Sequence, residues 1–356
     1  MSSLPDQSLV GPGVASLRPH VASSDGSALR LFSNENPLGP SPLAIEAVRA
    51  SVERAHQYPD PQAEALKERL AQRHDVSTEE IVVGHGSTEL IDRLVRTFVQ
   101  PGQTVVAAWP SFVMFSRSAH AANREILQAP LRSFRTDLAA LAGLVDIRTK
   151  LVFICNPNNP TGSYVTRREL NAFLDRIPPH VIVAVDEAYY EFATARDFPD
   201  AVSAVRSRPR TAVLRTFSKV FGLAGLRVGY GVMDPELVGP IESARPPYDA
   251  ARTSLSAAHA ALDDVEHIER SQRMVFSERR RMSEALRGLG LEPLPSQANF
   301  ICVRCPDLAE PRIAHLSAAG IEVASLQGYD MPEAFRLAIG TPSMNARVLD
   351  ALNSFA

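Results

Sequence analysis

Short, fully apolar runs recur along the first two thirds of the chain: IVV at 81 to 83, TVVAA at 104 to 108, LVFIC at 151 to 155, VIVAV at 181 to 185 and AVLRTF at 212 to 217. Segments with helical spacing of apolar residues separate them. Hydrophobicity that is continuous rather than alternating predicts strands covered on both faces, and hence an α/β domain with a largely parallel sheet. Ligands of such sheets sit beyond the carboxyl ends of the strands, so chemistry is expected in the residues that follow each run. Past about residue 245 the pattern changes to a long helical stretch, then NFICVR, a helix-like PRIAHLSAAG, AFRLAIG and a closing helix. That order is α+β and predicts a second, smaller domain. Residues 1–28, rich in Ser, Pro and Gly, read as an arm; 46–245 read as the large domain, and 29–45 with 246–356 as the small one.

Composition narrows the partners. The 356 residues leave room for two domains, and 45% hydrophobic with 22% charged residues is the make-up of a chain that folds throughout. A formal net charge of -3 offers no general attraction for nucleic acid or an anionic membrane, so a small anion held by local groups is the expected partner. No run approaches the ~20 apolar residues of a membrane span, and the start, MSSLPDQSLVGPG, lacks the features of a signal peptide. A cytoplasmic location is expected. The three cysteines, Cys155, Cys302 and Cys305, are too few for a disulfide framework. Cys302 and Cys305 lie three apart in a strand-like run, facing opposite ways with no second ligand pair nearby, so no metal is expected. Arg279, Arg280 and Arg281, set among glutamates, read as a solvated helix face.

The residues after the strands are polar. IVV leads into GHGSTELIDRLVRTF, a glycine turn entering an amphipathic helix, whose free N–H groups with the Ser87 and Thr88 hydroxyls make a candidate anion site. A dinucleotide fingerprint would need Gly or Ala where Glu89 stands, so one phosphate fits better than two, and a phosphate-binding dehydrogenase is disfavoured. LVFIC leads into NPNNPTG, where prolines restrict the loop that carries Asn159. VIVAV leads into DEAYYEF, and a carboxylate there needs a cation or a donor facing it. AVLRTF leads into SKVFGLAGLRVGY, which brings Lys219 to the same sheet edge as Asn159 and Asp186. A lysine kept from water has a lowered pKa and attacks aldehydes well. With Thr216, Ser218 and Arg227 available for a phosphate, the set calls for a cofactor with an aldehyde, a phosphate and a cationic ring nitrogen. Pyridoxal phosphate has all three.

SKVFGLAGLRVGY, NPNNPTG and VDEAYYEF resemble the cofactor motifs of the fold-type I, class I/II pyridoxal-phosphate aminotransferases. FSNENPLGPSP, YPDP and GHGSTELI are similar to the histidinol-phosphate aminotransferase branch of that family, and the likeness runs from about residue 29 to 340. The resemblance implies a mostly parallel seven-stranded sheet in the large domain. It implies that Lys219 bonds to the cofactor and shuttles a proton, that Asp186 pairs with the ring nitrogen, and that Tyr189 and Asn159 bind the ring oxygen while Phe112 stacks on the ring. Ser87, Thr88, Thr216, Ser218 and Arg227 would hold the phosphate, joined by Tyr58 from the other subunit of a homodimer. Arg336, assisted by Asn159, would bind the donor's carboxylate. Ping-pong transfer from an amino acid or amino-alcohol phosphate to an oxo acid follows.

Three positions depart from that branch. His20 stands where the arm's gating tyrosine is expected, Ala324 where a second arginine is expected, and Arg252 near a small hydroxyl position. Loss of the guanidinium would weaken the hold on a side-chain phosphate. PSQANF is similar to aromatic-amino-acid relatives, and Arg252 is a candidate for selecting a second anionic group. Decarboxylation or oxidation on the same scaffold is the alternative chemistry.

Overall fold

The protein was analysed as a computed structural model, which describes residues 28–355. His20 lies outside the described residues. The central sheet has seven strands in the order β2 (Ile81–Gly84), β8 (Gly229–Met233), β7 (Thr211–Thr216), β6 (Ile182–Asp186), β5 (Thr149–Cys155), β3 (Thr104–Trp109) and β4 (Glu125–Pro130). Only β8 runs antiparallel to its neighbours. Successive residues of these strands enter two different cores: Val183, Val185 and Val213 pack on one face, Ile182, Ala184 and Leu214 on the other. Burial of both faces is why the runs are continuously apolar.

Two strands escaped the apolar pattern for physical reasons. β4 lies at the sheet edge and is mostly exposed or half-buried along its length. β8 is glycine-rich because there is no space for side chains: a Cβ on Gly229 would lie 2.6 Å from the Ser87 nitrogen, at the start of the helix Gly86–Phe98.

The C-terminal third forms a four-stranded sheet in the order β12 (Ala324–Ser325), β13 (Ala334–Ala338), β10 (Phe300–Arg304), β9 (Glu292–Pro293). Near the start of the described chain, β1 (Leu29–Arg30) pairs in parallel with β11 (Ile321–Glu322), which fixes the segment after residue 30 against this region. The 24-residue helix Val265–Gly288 carries the arginine run. Arg280 is exposed as the solvated-face reading expects, but the structure corrects that reading for Arg279, which is only 8% exposed and donates to the carbonyls of Phe192 (3.2 Å) and Ala298 (2.7 Å). Burial lowers its pKa to about 10. Those buried carbonyls would otherwise be unpaired, and Arg279 satisfies them. Cys155, Cys302 and Cys305 are buried free thiols. Among the described residues no helix is long and apolar enough to cross a membrane.

Candidate active site

A cavity of about 770 Å³ opens over the carboxyl ends of β5, β6 and β7. Its floor carries Asp186, the last residue of β6, and Lys219, three residues past β7. Burial lifts the Asp186 carboxyl to about 7, against the pull of the Ala188 N–H (3.1 Å) and of Lys219. Burial and then Arg336 lower the Lys219 amine to about 8, opposed by Glu35 and Asp186. Its Nζ donates to the Ser33 carbonyl at 3.1 Å and stands 5.5 Å from the centre of the Tyr189 ring. The amine is therefore substantially neutral near pH 8, as a nucleophile must be. Tyr189 is fully buried; burial raises its pKa and keeps it a proton donor.

One end of the cavity is a cradle for an anion. Gly86 opens its helix with φ +72, a conformation that favours glycine, and a Cβ there would lie 2.8 Å from the Arg227 guanidinium. Arg227 approaches the Ser218 hydroxyl at 3.5 Å, and Thr216 Oγ1 donates to Ser218 Oγ at 2.9 Å. Ser87 and Thr88 complete this end with the amides of the helix N-terminus. At the other end, Arg336 projects from the middle of β13, donates to the Phe32 carbonyl at 2.6 Å and pairs with Asn159 Oδ1. Its Nε is buried and has no partner. A half-buried guanidinium on the cavity wall fits a carboxylate brought in by a ligand. A nucleophilic amine, a buried carboxylate and a phosphate cradle around one cavity fit pyridoxal phosphate.

The family pattern for aminotransferases of class I and II matches residues 27–352. The chain belongs to this family. The aminotransferase is 41% identical over 360 residues to the histidinol-phosphate aminotransferase of Anaeromyxobacter sp. (strain Fw109-5), covering 97% of this chain and 98% of that one. It is 38% identical over 326 residues to the protein of the same name from Symbiobacterium thermophilum, covering 92% and 90%. Among solved structures, histidinol-phosphate aminotransferase from Sinorhizobium meliloti in complex with pyridoxal-5'-phosphate superposes with a TM-score of 0.91 at 27% identity, covering 99% of this chain and 100% of that one.

In the aminotransferase, Ser87, Thr88, Phe112, Asn159, Asp186, Tyr189, Thr216, Ser218, Lys219, Arg227 and Arg336 all line the cavity. Ala324 lines it too, opposite Arg336 in the register of β12 with β13. Tyr58 and Arg252 do not line the cavity of their own chain. Tyr58 is 77% exposed, stacks on Tyr248 at 4.5 Å, and accepts a 2.5 Å hydrogen bond from Arg252 at its backbone carbonyl. That hydrogen bond ties Arg252 to the segment that carries Tyr58.

Sequence reasoning passed over Asn34, Glu35 and Tyr329, which also line the aminotransferase's cavity. Tyr329 lies in a short turn and stacks on Trp109 at 5.4 Å, while Trp109 donates to Asp330 at 2.5 Å. No periodic pattern marks such a turn. Asn34 was within reach of sequence reasoning, since it sits inside the FSNENPLG segment.

Proposed function

We propose that this aminotransferase uses pyridoxal phosphate held by Lys219, and moves an amino group from an amino acid or amino-alcohol phosphate, histidinol phosphate foremost, to an oxo acid. One observation carries the reading: the depressed lysine amine, the buried Asp186 carboxylate and the Arg227 cradle face one cavity, with the underused Arg336 guanidinium at its far end. The donor class rests on the relatives' similarity along nearly the whole chain.

When bound, pyridoxal phosphate supplies an aldehyde that condenses with amines and a cationic ring that withdraws electrons from the carbon bearing the amine. Asp186 would hold the ring nitrogen's proton, and Tyr189 with Asn159 would bind the ring oxygen. Phe112, on the cavity wall, would pack against the ring. Ser87, Thr88, Thr216, Ser218 and Arg227 anchor the phosphate. Lys219 Nζ takes the proton from the donor's Cα and returns it, acting as base and then acid. Arg336 fixes a carboxylate so that this Cα–H bond points at Lys219. With Ala324 in place of a cation, a donor phosphate would depend on the facing Arg336.

Tyr58 is expected to reach the partner's phosphate in a homodimer, carrying Arg252 with it towards the partner's cavity. Residues 29–45 and 246–356 are read as the smaller domain and 46–245 as the large cofactor-binding one. The function is tested by adding single amino donors, histidinol phosphate, aromatic, acidic and basic amino acids, to the cofactor-loaded protein without any acceptor. Conversion to the pyridoxamine spectrum by one class establishes half-transamination and names the donor. Release of carbon dioxide or peroxide without that spectrum would overturn transamination in favour of decarboxylation or oxidation.

A further inference from the structure

We propose that Asn34 is a positioning residue that aims the phenolic proton of Tyr189 into the cavity and so sets the proton balance at the lysine end of the site. The inference rests on the pyridoxal-phosphate reading above. Asn34 is 1% exposed and belongs to the cavity wall. Its Nδ2 donates to the Tyr189 oxygen at 3.1 Å. A phenol has one O–H and accepts through its lone pairs; with the amide N–H occupying that side, the Tyr189 proton must point elsewhere. The ring itself is fixed. It packs edge-on against Phe300, with centroids 5.1 Å apart at 80°, and Lys219 Nζ stands over its face. Only the hydroxyl rotor remains to be oriented, and Asn34 orients it.

The backbone of Asn34 is held from behind. The Asn34 carbonyl accepts from Asn299 Nδ2 at 3.0 Å, while the Asn299 carbonyl accepts from Ile339 N at 2.9 Å. Asn34 Oδ1 is buried without a partner. One of the two Nδ2 hydrogens has the Tyr189 oxygen as its acceptor; reversing the amide would leave both without one and would draw the Tyr189 proton onto Oδ1. Asn34 also has φ +55, a left-handed conformation that Asn tolerates better than most side chains. Backbone and side chain thus both favour asparagine here.

Tyr189 faces Arg336 from β13, Asp186 from β6 and Cys155 from β5, with Lys219 beside its ring. Lys219 in turn faces Arg336, Glu35, Arg227 and Asp186. A phenol donating to the cofactor's ring oxygen stabilises the oxyanion and lowers the pH at which the lysine–cofactor linkage loses its proton. If the phenol donates to residue 34 instead, that midpoint rises.

The test is a spectrophotometric pH titration of the lysine-bound cofactor band in the holoprotein, with the cofactor dissociation constant and the cofactor-free melting temperature measured alongside. Asn34→Gly deletes the amide and keeps the positive φ without strain. Asn34→Asp keeps the shape but only accepts. Each is also made in a Tyr189→Phe background. Tyr189→Phe and Asn34→Asp are each expected to raise the midpoint by about one pH unit, and the double variant by no more than either alone. Asn34→Gly is expected to raise it less, and not at all beside Tyr189→Phe. Should Asn34→Asp not fold, that pair of Gly variants decides by itself. An equal Asn34→Asp shift in both backgrounds means that added charge acts directly, and overturns the proposal. Unchanged midpoints in all Asn34 variants overturn it as well. Absence of any Lys219-dependent band would remove the cofactor reading, and this inference with it.

Discussion

The two ends of the cavity are built by different means. At the cradle end, each polar group follows a buried strand: Asp186 closes β6, Thr216 closes β7, and Lys219 with Arg227 lies in the link from β7 to β8. The strands buried on both faces hold these groups, so their positions follow from the sheet. At the donor end the wall comes from residues 32–35, Ala324, the Tyr329 turn and Arg336, segments separated by hundreds of positions in the chain. Its shape depends on how the C-terminal sheet sits against the central one. One sheet edge can therefore keep the same chemistry while the donor end changes what is accepted.

If that division is right, substitutions at the cradle end cost turnover, and those at the donor end cost recognition. Lys219→Ala is expected to lower transamination by about 10⁴-fold or more and to abolish the lysine-bound cofactor band, with the fold intact by circular dichroism. Near-normal turnover would break the comparison at once. Asp186→Asn is expected to lower kcat by about 10²- to 10³-fold while stabilising the cofactor-free protein. The sign follows from its carboxyl, which titrates near 7 when folded and near 4 when unfolded. The cost of ionising it accumulates as pH rises from about 4 to about 7, at about 1.4 kcal/mol for each pH unit crossed, and is complete above that. Urea unfolding of both proteins at pH 4 and pH 8 reads this directly, with a gain expected only at pH 8.

Arg336→Gln is expected to reduce kcat/KM for carboxylate substrates by about 10- to 100-fold, mainly through KM, as steady-state kinetics with 2-oxoglutarate will show. A loss confined to kcat would move Arg336 into the chemistry. Cofactor capture by the cofactor-free protein is expected to speed up about tenfold per pH unit below 8 and to level off above, because the neutral Lys219 amine is the nucleophile. Stopped-flow absorbance tests this slope. Smallest of all, Arg252→Ser should weaken cofactor binding by about 2- to 10-fold through Tyr58, with equal losses for neutral and acidic donors. Unequal losses would give Arg252 a selective role of its own.

Much of the cradle end was legible in the chain because its cause is local. A run such as VIVAV cannot end in a carboxylate without a partner, and SK…R after AVLRTF puts an amine and a guanidinium at one sheet edge. β8 was not legible. Its Gly229 answers to the backbone of Gly86 and Ser87, more than 140 residues away, and a contact of that kind leaves no periodic trace. Arg279 was hidden for a similar reason: its charge predicts solvent, and only the folded chain reveals the two orphan carbonyls it caps.

What the sequence determined by itself was the order of buried strands and the polar residues that end them, because double-sided burial and the cost of unpaired charge act on neighbours in the chain. Tertiary structure alone decided that Asn34 meets Tyr189 across 155 positions, that Arg336 keeps a donor unused, and that Tyr58 and Arg252 stand outside the lining of their own cavity. Hydrogen bonds and steric exclusion between distant segments fix those relations, and both arise only when the two sheets are packed together.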